Sequence, residues 1–147
     1  MTVFRSMAGA MLLLAAGASQ ALDFKSVGAA PVILYDAPSV KGGKLYVAPR
    51  GMPLEIVLSY GEWVKVRDAS GDMAWTEAKG LSAKRTVVVR AANVKVRAAA
   101  DDAAAPVFTA DKGVLLEMTE AAGAGWIKVR HRDGVSGYVR SSEIWGI

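Results

Sequence analysis

Two short runs in the sequence place a tryptophan and two cations at alternate positions. They are Trp63, Lys65, Arg67 and Trp126, Lys128, Arg130. Side chains alternate across a β-strand, so in each run the ring and both cations share one face, with the intervening apolar residues inside. Such a face can stack on a sugar or peptide plane while its cations meet carboxylates. In the alternative interpretation, each tryptophan covers the edge of its own small domain and the cations are solvated.

The sequence holds few of the side chains that catalysis requires. Its 147 residues contain no cysteine and a single histidine, His131. A Cys-His nucleophilic pair and a zinc site built from several histidines are therefore excluded. The loop acids Asp36, Asp101 and Asp102 lack the spaced ligands of a calcium loop and are interpreted as solvated. We predict a non-enzymatic protein with no cofactor and no metal site.

The first 21 residues have the composition of a secretory signal peptide. Arg5 supplies the positive start, an apolar run follows, and Ser19 and Ala21 are the small residues at the cleavage positions. The run is shorter than the roughly 20 residues that a bilayer span requires. Cleavage after Ala21 would leave 126 of the 147 residues, with 17 basic and 14 acidic side chains and a net charge of +3. We predict a periplasmic or secreted protein without a membrane span, and export argues against a nucleic-acid partner.

The remaining chain contains one pattern twice. An offset of 62 residues, which becomes 63 after one extra residue around 122–125, aligns the two copies. The aligned pairs include Gly51 with Gly113, Glu55 with Glu117, Trp63 with Trp126, Lys65 with Lys128, and Gly71 with Gly134. Tryptophan, glycine and charged matches in the same order indicate a duplication. We predict two domains, residues 22–83 and 84–147, joined near residues 82–86.

Each copy consists of short β-rich runs separated by turns. The clearest predicted strands are 56–58, 63–67 and 73–77 in the first copy, and 114–119, 126–131 and 135–140 in the second. Residues 59–62 and 68–72 are predicted turns, and Asp133-Gly134 favours a tight hairpin. Aspartates interrupt the alanine-rich stretch 98–105 and Pro106 follows it, so an irregular loop is predicted there. The fold class is all-β, with two tandem small barrels.

A spaced series of short motifs covers nearly all of residues 87–145. It consists of Asn93-Val94-Lys95-Val96-Arg97, Lys112-Gly113-Val114, Gly125-Trp126-Ile127-Lys128-Val129, Gly137-Tyr138-Val139 and Ile144. The series resembles the bacterial SH3 (SH3b) family, whose domains occur in envelope and cell-wall proteins. Residues 27–81 resemble a degenerate copy. The resemblance implies a five-stranded, partly open β-barrel for each copy, with a long first hairpin loop at residues 36–44 and 98–106.

The resemblance also implies binding rather than catalysis. Ile33-Leu34-Tyr35-Asp36-Ala37 is similar to the Ala-Leu-Tyr-Asp-Tyr signature of eukaryotic SH3 domains, but Ala37 replaces the second tyrosine. Because most of the aromatic and proline walls of that groove are missing, a polyproline ligand is not expected.

The leading hypothesis is a module that recognises peptidoglycan or an envelope protein, with Tyr138 added to the six candidate residues of the two runs. The alternative is a structural or adaptor protein in which Trp63 and Trp126 pack the units together. No oligomeric state is predicted.

Overall fold

The regular structure is almost entirely β-strand, arranged in two sheets that follow one another along the chain. The computed structural model describes residues 22–147, so the predicted signal peptide at residues 1–21 lies outside the described residues. The first sheet contains β1 (Phe24–Val27), β2 (Val32–Tyr35), β3 (Lys44–Ala48), β4 (Pro53–Tyr60), β5 (Trp63–Arg67), β6 (Met73–Glu77) and β7 (Leu81–Ser82). The second contains β8 (Thr86–Val89), β9 (Val94–Arg97), β10 (Pro106–Ala110), β11 (Leu115–Gly123), β12 (Trp126–Arg130), β13 (Ser136–Arg140) and β14 (Ile144–Trp145). Single 3₁₀ turns, Ala78–Gly80 and Ser141–Glu143, precede β7 and β14.

Both sheets are antiparallel and share one strand order. The first runs β3-β2-β6-β5-β4-β1-β7, and the second runs β10-β9-β13-β12-β11-β8-β14. A β-bulge lies at the same place in both copies, at residues 56–58 and 118–120. These matches confirm the internal repeat and the all-β, tandem fold. The extra residue of the second copy lies at the end of β11, where the register shifts between Ala121 and Gly123.

Most of the predicted strands and loops are confirmed, with two corrections. The runs 63–67 and 73–77 are β5 and β6, and residues 98–105 form an irregular loop. The predicted turn at 59–62 is shorter, because Tyr60 still pairs with Trp63 and only Gly61, at φ 57°, and Glu62 make the turn. Each sheet has seven strands rather than the five implied by the resemblance, partly because a two-residue strand closes its far edge.

Each sheet has its own apolar core. The first is built from Val27, Leu34, Ala48, Leu54, Val64, Val66 and Ala74. The second is built from Val87, Val89, Val94, Val96, Ala110, Leu116, Ile127, Val129, Val139 and Ile144. The valines and the isoleucine of β5 and β12 therefore point inward, as strand alternation predicts. No helix within residues 22–147 is long and apolar enough to cross a membrane.

An aromatic contact joins the two sheets. The ring of Phe24, on β1, meets the ring of Trp145, on β14, edge to face with centroids 5.2 Å apart. The guanidinium carbon of Arg85 lies 5.5 Å from the centroid of the Phe24 ring, and the same side chain donates to the carbonyl oxygen of Gly146 at 2.9 Å. Arg85 thus fastens the connecting segment to both units.

Two buried hydroxyl groups hold the backbone on both sides of this joint. Thr86 donates to the carbonyl oxygen of Gly51 at 2.7 Å, and Ser26 donates to that of Lys84 at 2.7 Å. Both side chains are buried, so each bond satisfies groups that would otherwise be desolvated without a partner. The relative placement of the two units therefore rests on polar as well as aromatic contacts.

Candidate functional site

The outer surface of the first unit carries aromatic rings on three adjacent strands. Trp63 on β5 lies opposite Tyr60 on β4, and Lys65 lies opposite Trp75 on β6. The Tyr60 and Trp75 rings are 6.5 Å apart in an edge-to-face arrangement. Tyr60 is 66% exposed, while Trp63 and Trp75 are half-buried. We call Tyr60, Trp63, Lys65 and Trp75 the aromatic face.

The ring of Trp63 packs against a buried aromatic residue. The Trp63 ring meets that of Tyr35 edge to face, with centroids 5.5 Å apart, and Tyr35 is itself buried. A ring supported in this way loses little conformational freedom when a ligand stacks on it. The predicted ligand-binding position of Trp63 is thus compatible with the fold.

The predicted cations of the first unit have different surroundings. Arg67 donates to a carboxylate oxygen of Glu55 at 3.2 Å, so this ion pair occupies it. Lys65 forms no ion pair with any residue in 22–147 and lies across the strand from Trp75. Of Trp63, Lys65 and Arg67, only Arg67 is held in an ion pair within residues 22–147, and both Trp63 and Lys65 are half-buried.

Two members of the aromatic face were not among the predicted site residues. Trp75 occupies the repeat position of Tyr138, so the repeat alignment carried the signal for it. Tyr60 was missed because Ser59-Tyr60-Gly61-Glu62 has the composition of a turn, whereas the hairpin ladder continues through Tyr60.

The second unit differs, because its tryptophan is covered. Trp126 is only 6% exposed, and the guanidinium carbon of Arg140 lies 4.3 Å from its ring centroid. Arg140 in turn forms a two-point ion pair with Asp102 of the long loop. The expectation that the Trp126 ring lies open on the outer face is therefore wrong. The first unit has Val40 and Glu77 at the equivalent positions, and these cannot form such a cover.

The other candidate residues of the second unit also have partners. The Lys128 ammonium lies 5.9 Å from the centroid of the Tyr138 ring, and Arg130 donates to Glu117 at 2.8 Å. The pair of Arg130 with Glu117 repeats that of Arg67 with Glu55. The aromatic contacts of Trp63 and Trp126 lie within their own units, so the structure differs from the alternative in which these two rings join the units.

Loop acids bind backbone amides or a cation. A carboxylate oxygen of Asp36 accepts the amide hydrogen of Gly43 at 2.7 Å, and one of Asp101 accepts that of Ala103 at 2.9 Å. The hydrogen bond and charge of Arg140 hold the pKa of Asp102 below its usual value. Within residues 22–147 there is no group of three or more histidine or acidic side chains that could hold a metal ion.

Comparison with known families settles what kind of fold this is. A model of the bacterial SH3 domain matches the chain twice, over residues 28–82 and 90–146. The chain belongs to the bacterial SH3 family. The two matches correspond to the two sheets, so each sheet is a bacterial SH3 unit.

Three solved structures are similar to these tandem bacterial SH3 units. NlpC2 from Trichomonas vaginalis is 11% identical with a TM-score of 0.39, over 86% of this chain and 48% of its own. NlpC1 from the same organism is 13% identical with a TM-score of 0.39, over 91% and 49%. An NlpC/P60 family protein from Bacillus cereus is 12% identical with a TM-score of 0.38, over 84% and 56%. The chain spans about half the length of these proteins. No curated protein matches the sequence.

A polar network distinguishes the first bacterial SH3 unit from the second. Asp68 is buried and accepts hydrogen bonds from the Tyr46 hydroxyl at 2.6 Å, from the Ser70 hydroxyl, and from the amides of Ser70 and Asp72. The repeat equivalents of Tyr46 and Asp68 are Phe108 and His131, whose rings pack 5.8 Å apart. A contact between β3 and the β5–β6 turn is thus kept in both copies with different chemistry.

The Asp68 network predicts a pH-dependent contribution to stability. Burial would raise the pKa of Asp68, but the hydrogen bonds from Ser70, Tyr46 and the two amides outweigh it and lower the pKa. A lowered pKa in the folded state stabilises the protein above the unfolded pKa of about 3.9, and the contribution is lost as the pH falls through the folded pKa. We expect Asp68→Asn to lower the free energy of unfolding by about 1–3 kcal/mol at pH 7.

Urea unfolding of wild type and Asp68→Asn between pH 7 and pH 2 measures this effect. The difference between the two proteins should shrink below about pH 4. Asp72→Asn is the control, because the Asp72 carboxylate is exposed and accepts only a 3.2 Å bond from the Ser70 hydroxyl. A difference between wild type and Asp68→Asn that stays constant over this pH range would contradict the assignment.

Proposed function

We propose that this chain is a non-enzymatic envelope protein whose bacterial SH3 units, at residues 22–83 and 84–147, act as a binding module for peptidoglycan. The signal-peptide composition of residues 1–21 supports export to the periplasm or beyond. The absence of cysteine and the single histidine support a binding role.

The observation that carries this proposal is the aromatic face of the first unit. Three rings share this surface with Lys65, and the edge-to-face contact with Tyr35 fixes the orientation of the Trp63 ring. Aromatic rings can cover the apolar faces of sugars, and an ammonium group can pair with a peptide carboxylate. Peptidoglycan contains both sugars and peptide carboxylates. In the second unit, Lys128, Arg130 and Tyr138 are held by neighbours and Trp126 is covered, so we assign that unit a secondary part.

The second candidate function is that of an adaptor that binds a protein segment. It is favoured by the edge strand β3, where Leu45 is 52% exposed and Val47 is 60% exposed. An open strand edge with apolar side chains can accept an extended peptide as an added strand.

Retention on purified sacculi tests the proposal. We expect wild-type protein to sediment with sacculi, and the double variant Tyr60→Ala, Trp75→Ala to lose retention by about tenfold or more, since each ring contributes stacking area. Trp126→Ala is a poor probe because that ring is buried, so its loss would disturb folding.

The matched control removes similar apolar area elsewhere on the same unit. Leu45→Ala combined with Val47→Ala leaves the aromatic face intact and should sediment like wild type. Equal retention of the aromatic-face variant and wild type, or no retention of wild type, would overturn the proposal. The adaptor function would be supported instead by two results together. Wild type would not sediment with sacculi, and it would capture extended peptides that only the Leu45→Ala, Val47→Ala variant fails to capture.

A further inference from the structure

A second surface of different chemistry lies where the two units meet. It is a cleft of about 1080 Å³ between the β3–β4 turn with residues 82–86 on one side and β11 with the β12–β13 turn on the other. Four cations line it, namely Arg50, Lys84, Arg130 and Arg132. We call this space the joint cleft. It exists only because the two units are held together, so neither unit alone contains it.

The positive charge of the chain is concentrated in the joint cleft. Glu117 is the single carboxylate that lines it, so four cations leave an excess of +3. Residues 22–147 carry 17 basic and 14 acidic side chains, which is also +3. The other charged side chains of these residues, 13 basic and 13 acidic, balance in number, so the cleft has a net positive charge that favours an anionic ligand.

Two of the four cations have no acidic partner. Glu117 accepts a hydrogen bond from Arg130 at 2.8 Å and lies 3.4 Å from the Lys84 ammonium. The bond from Arg130, aided by Lys84, holds the pKa of Glu117 below its usual value. Arg50 and Arg132 form no ion pair with any residue in 22–147. Their guanidinium groups remain able to bind a carboxylate with two parallel hydrogen bonds.

Divergence of the duplicated turn points to the same place. In the first unit the β5–β6 turn is Asp68-Ala69-Ser70-Gly71-Asp72, which carries two acids. Its counterpart in the second unit is His131-Arg132-Asp133-Gly134, and this copy borders the joint cleft. The acidic turn of the first unit does not line the cleft. The turn of the second unit does, and it contributes His131 and Arg132 to the lining.

Apolar side chains accompany these cations. Val114 and Leu115 are the partly exposed apolar side chains of the cleft, whereas Val27, Leu116, Ser26 and Thr86 are buried in its wall. The hydroxyl groups of Ser26 and Thr86 are already bound to carbonyl oxygens, which makes this wall rigid. A ligand that fills the cleft therefore needs small apolar groups as well as negative charges.

We propose that the joint cleft binds a short acidic peptide, with carboxylates on Arg50 and Arg132 and small apolar side chains against Leu115 and Val114. This site is separate from the aromatic face and does not rest on the function proposed for that face.

Calorimetric titration at low salt with an end-blocked peptide, acetyl-Glu-Ala-Glu-Ala-Glu-Ala-amide, tests the site. We expect wild type to bind it, and Arg50→Gln combined with Arg132→Gln to raise the Kd by about tenfold or more. Binding should weaken as salt is added, because the partners are exposed. The peptide with glutamine in place of glutamate should not bind.

The control variant Lys41→Gln with Arg90→Gln removes the same charge away from the cleft and should leave the Kd within about twofold of wild type. An equal loss in both double variants would overturn the proposal, because it would indicate general charge attraction. Tighter binding of inorganic tripolyphosphate or of a single-stranded oligonucleotide than of the peptide would overturn it too. The Tyr60→Ala, Trp75→Ala variant should still bind the peptide. The joint-cleft proposal and the aromatic-face proposal can therefore be contradicted separately.

Discussion

Replacement of Phe24 by alanine is expected to lower the free energy of unfolding by about 3–5 kcal/mol, the usual cost of removing a buried phenylalanine. Phe24 is 5% exposed and forms the aromatic contact between the units through Trp145. Its ring also lies beneath the guanidinium of Arg85, whose Nε is buried without a hydrogen-bond partner. Loss of the ring would also remove the cation–π contact of the Arg85 guanidinium.

The variant should also change how the protein unfolds. In wild type the joint couples the units, and we expect a single urea transition. Phe24→Ala should separate it into two, because each sheet keeps its own core. Tryptophan fluorescence and circular dichroism would detect both steps, because Trp63 and Trp75 lie in the first unit and Trp126 and Trp145 in the second. Tyr60→Ala, an exposed aromatic in the same unit, is the control and should change stability by less than about 0.5 kcal/mol.

A matched pair of core substitutions has the second large expected effect. Leu54 and Leu116 occupy equivalent repeat positions and are 0% and 1% exposed. Each change to alanine should cost about 2–5 kcal/mol through lost burial and the cavity it leaves. Because the cores are separate, we expect each variant to destabilise its own unit more than the other.

Native-state hydrogen exchange measures that distinction residue by residue. Leu116→Ala should lower protection in β8–β14 while β2–β6 keep most of theirs, and Leu54→Ala should do the reverse. Leu45→Ala, on the exposed edge strand, provides the control. This local opening under native conditions is distinct from the single global transition in urea, and an equal loss of protection in both units from either core variant would contradict it.

Much of the fold could be predicted from local patterns. Strand alternation predicts Val64 and Val66 inside and Trp63 outside, because one face of a half-buried strand packs on the core while the other faces water. The Gly51 and Gly113 pair marked the same turn in both copies, and both residues have positive φ, at 81° and 91°. Such features depend on residues that are neighbours in the sequence or on the internal repeat, and both can be recognised in the sequence alone.

The features that were missed depend on contacts between distant residues. Trp126 is covered because Asp102, in a loop, aligns Arg140 over its ring, and no local pattern links these positions. The contact of Phe24 with Trp145 joins the first and last strands of the described chain. The joint cleft likewise collects cations that are separated in sequence, so their alignment emerges only once both units are folded and docked.

The consecutive arrangement of the two sheets has a consequence for the order in which the protein matures. All seven strands of the first sheet are complete at Ser82, so this unit can fold before the second half of the chain has emerged. Phe24, however, must wait for Trp145, which lies on the last strand of the second sheet. Docking of the two units therefore follows completion of both sheets, and a newly made first unit presents an uncovered phenylalanine until β14 has been made.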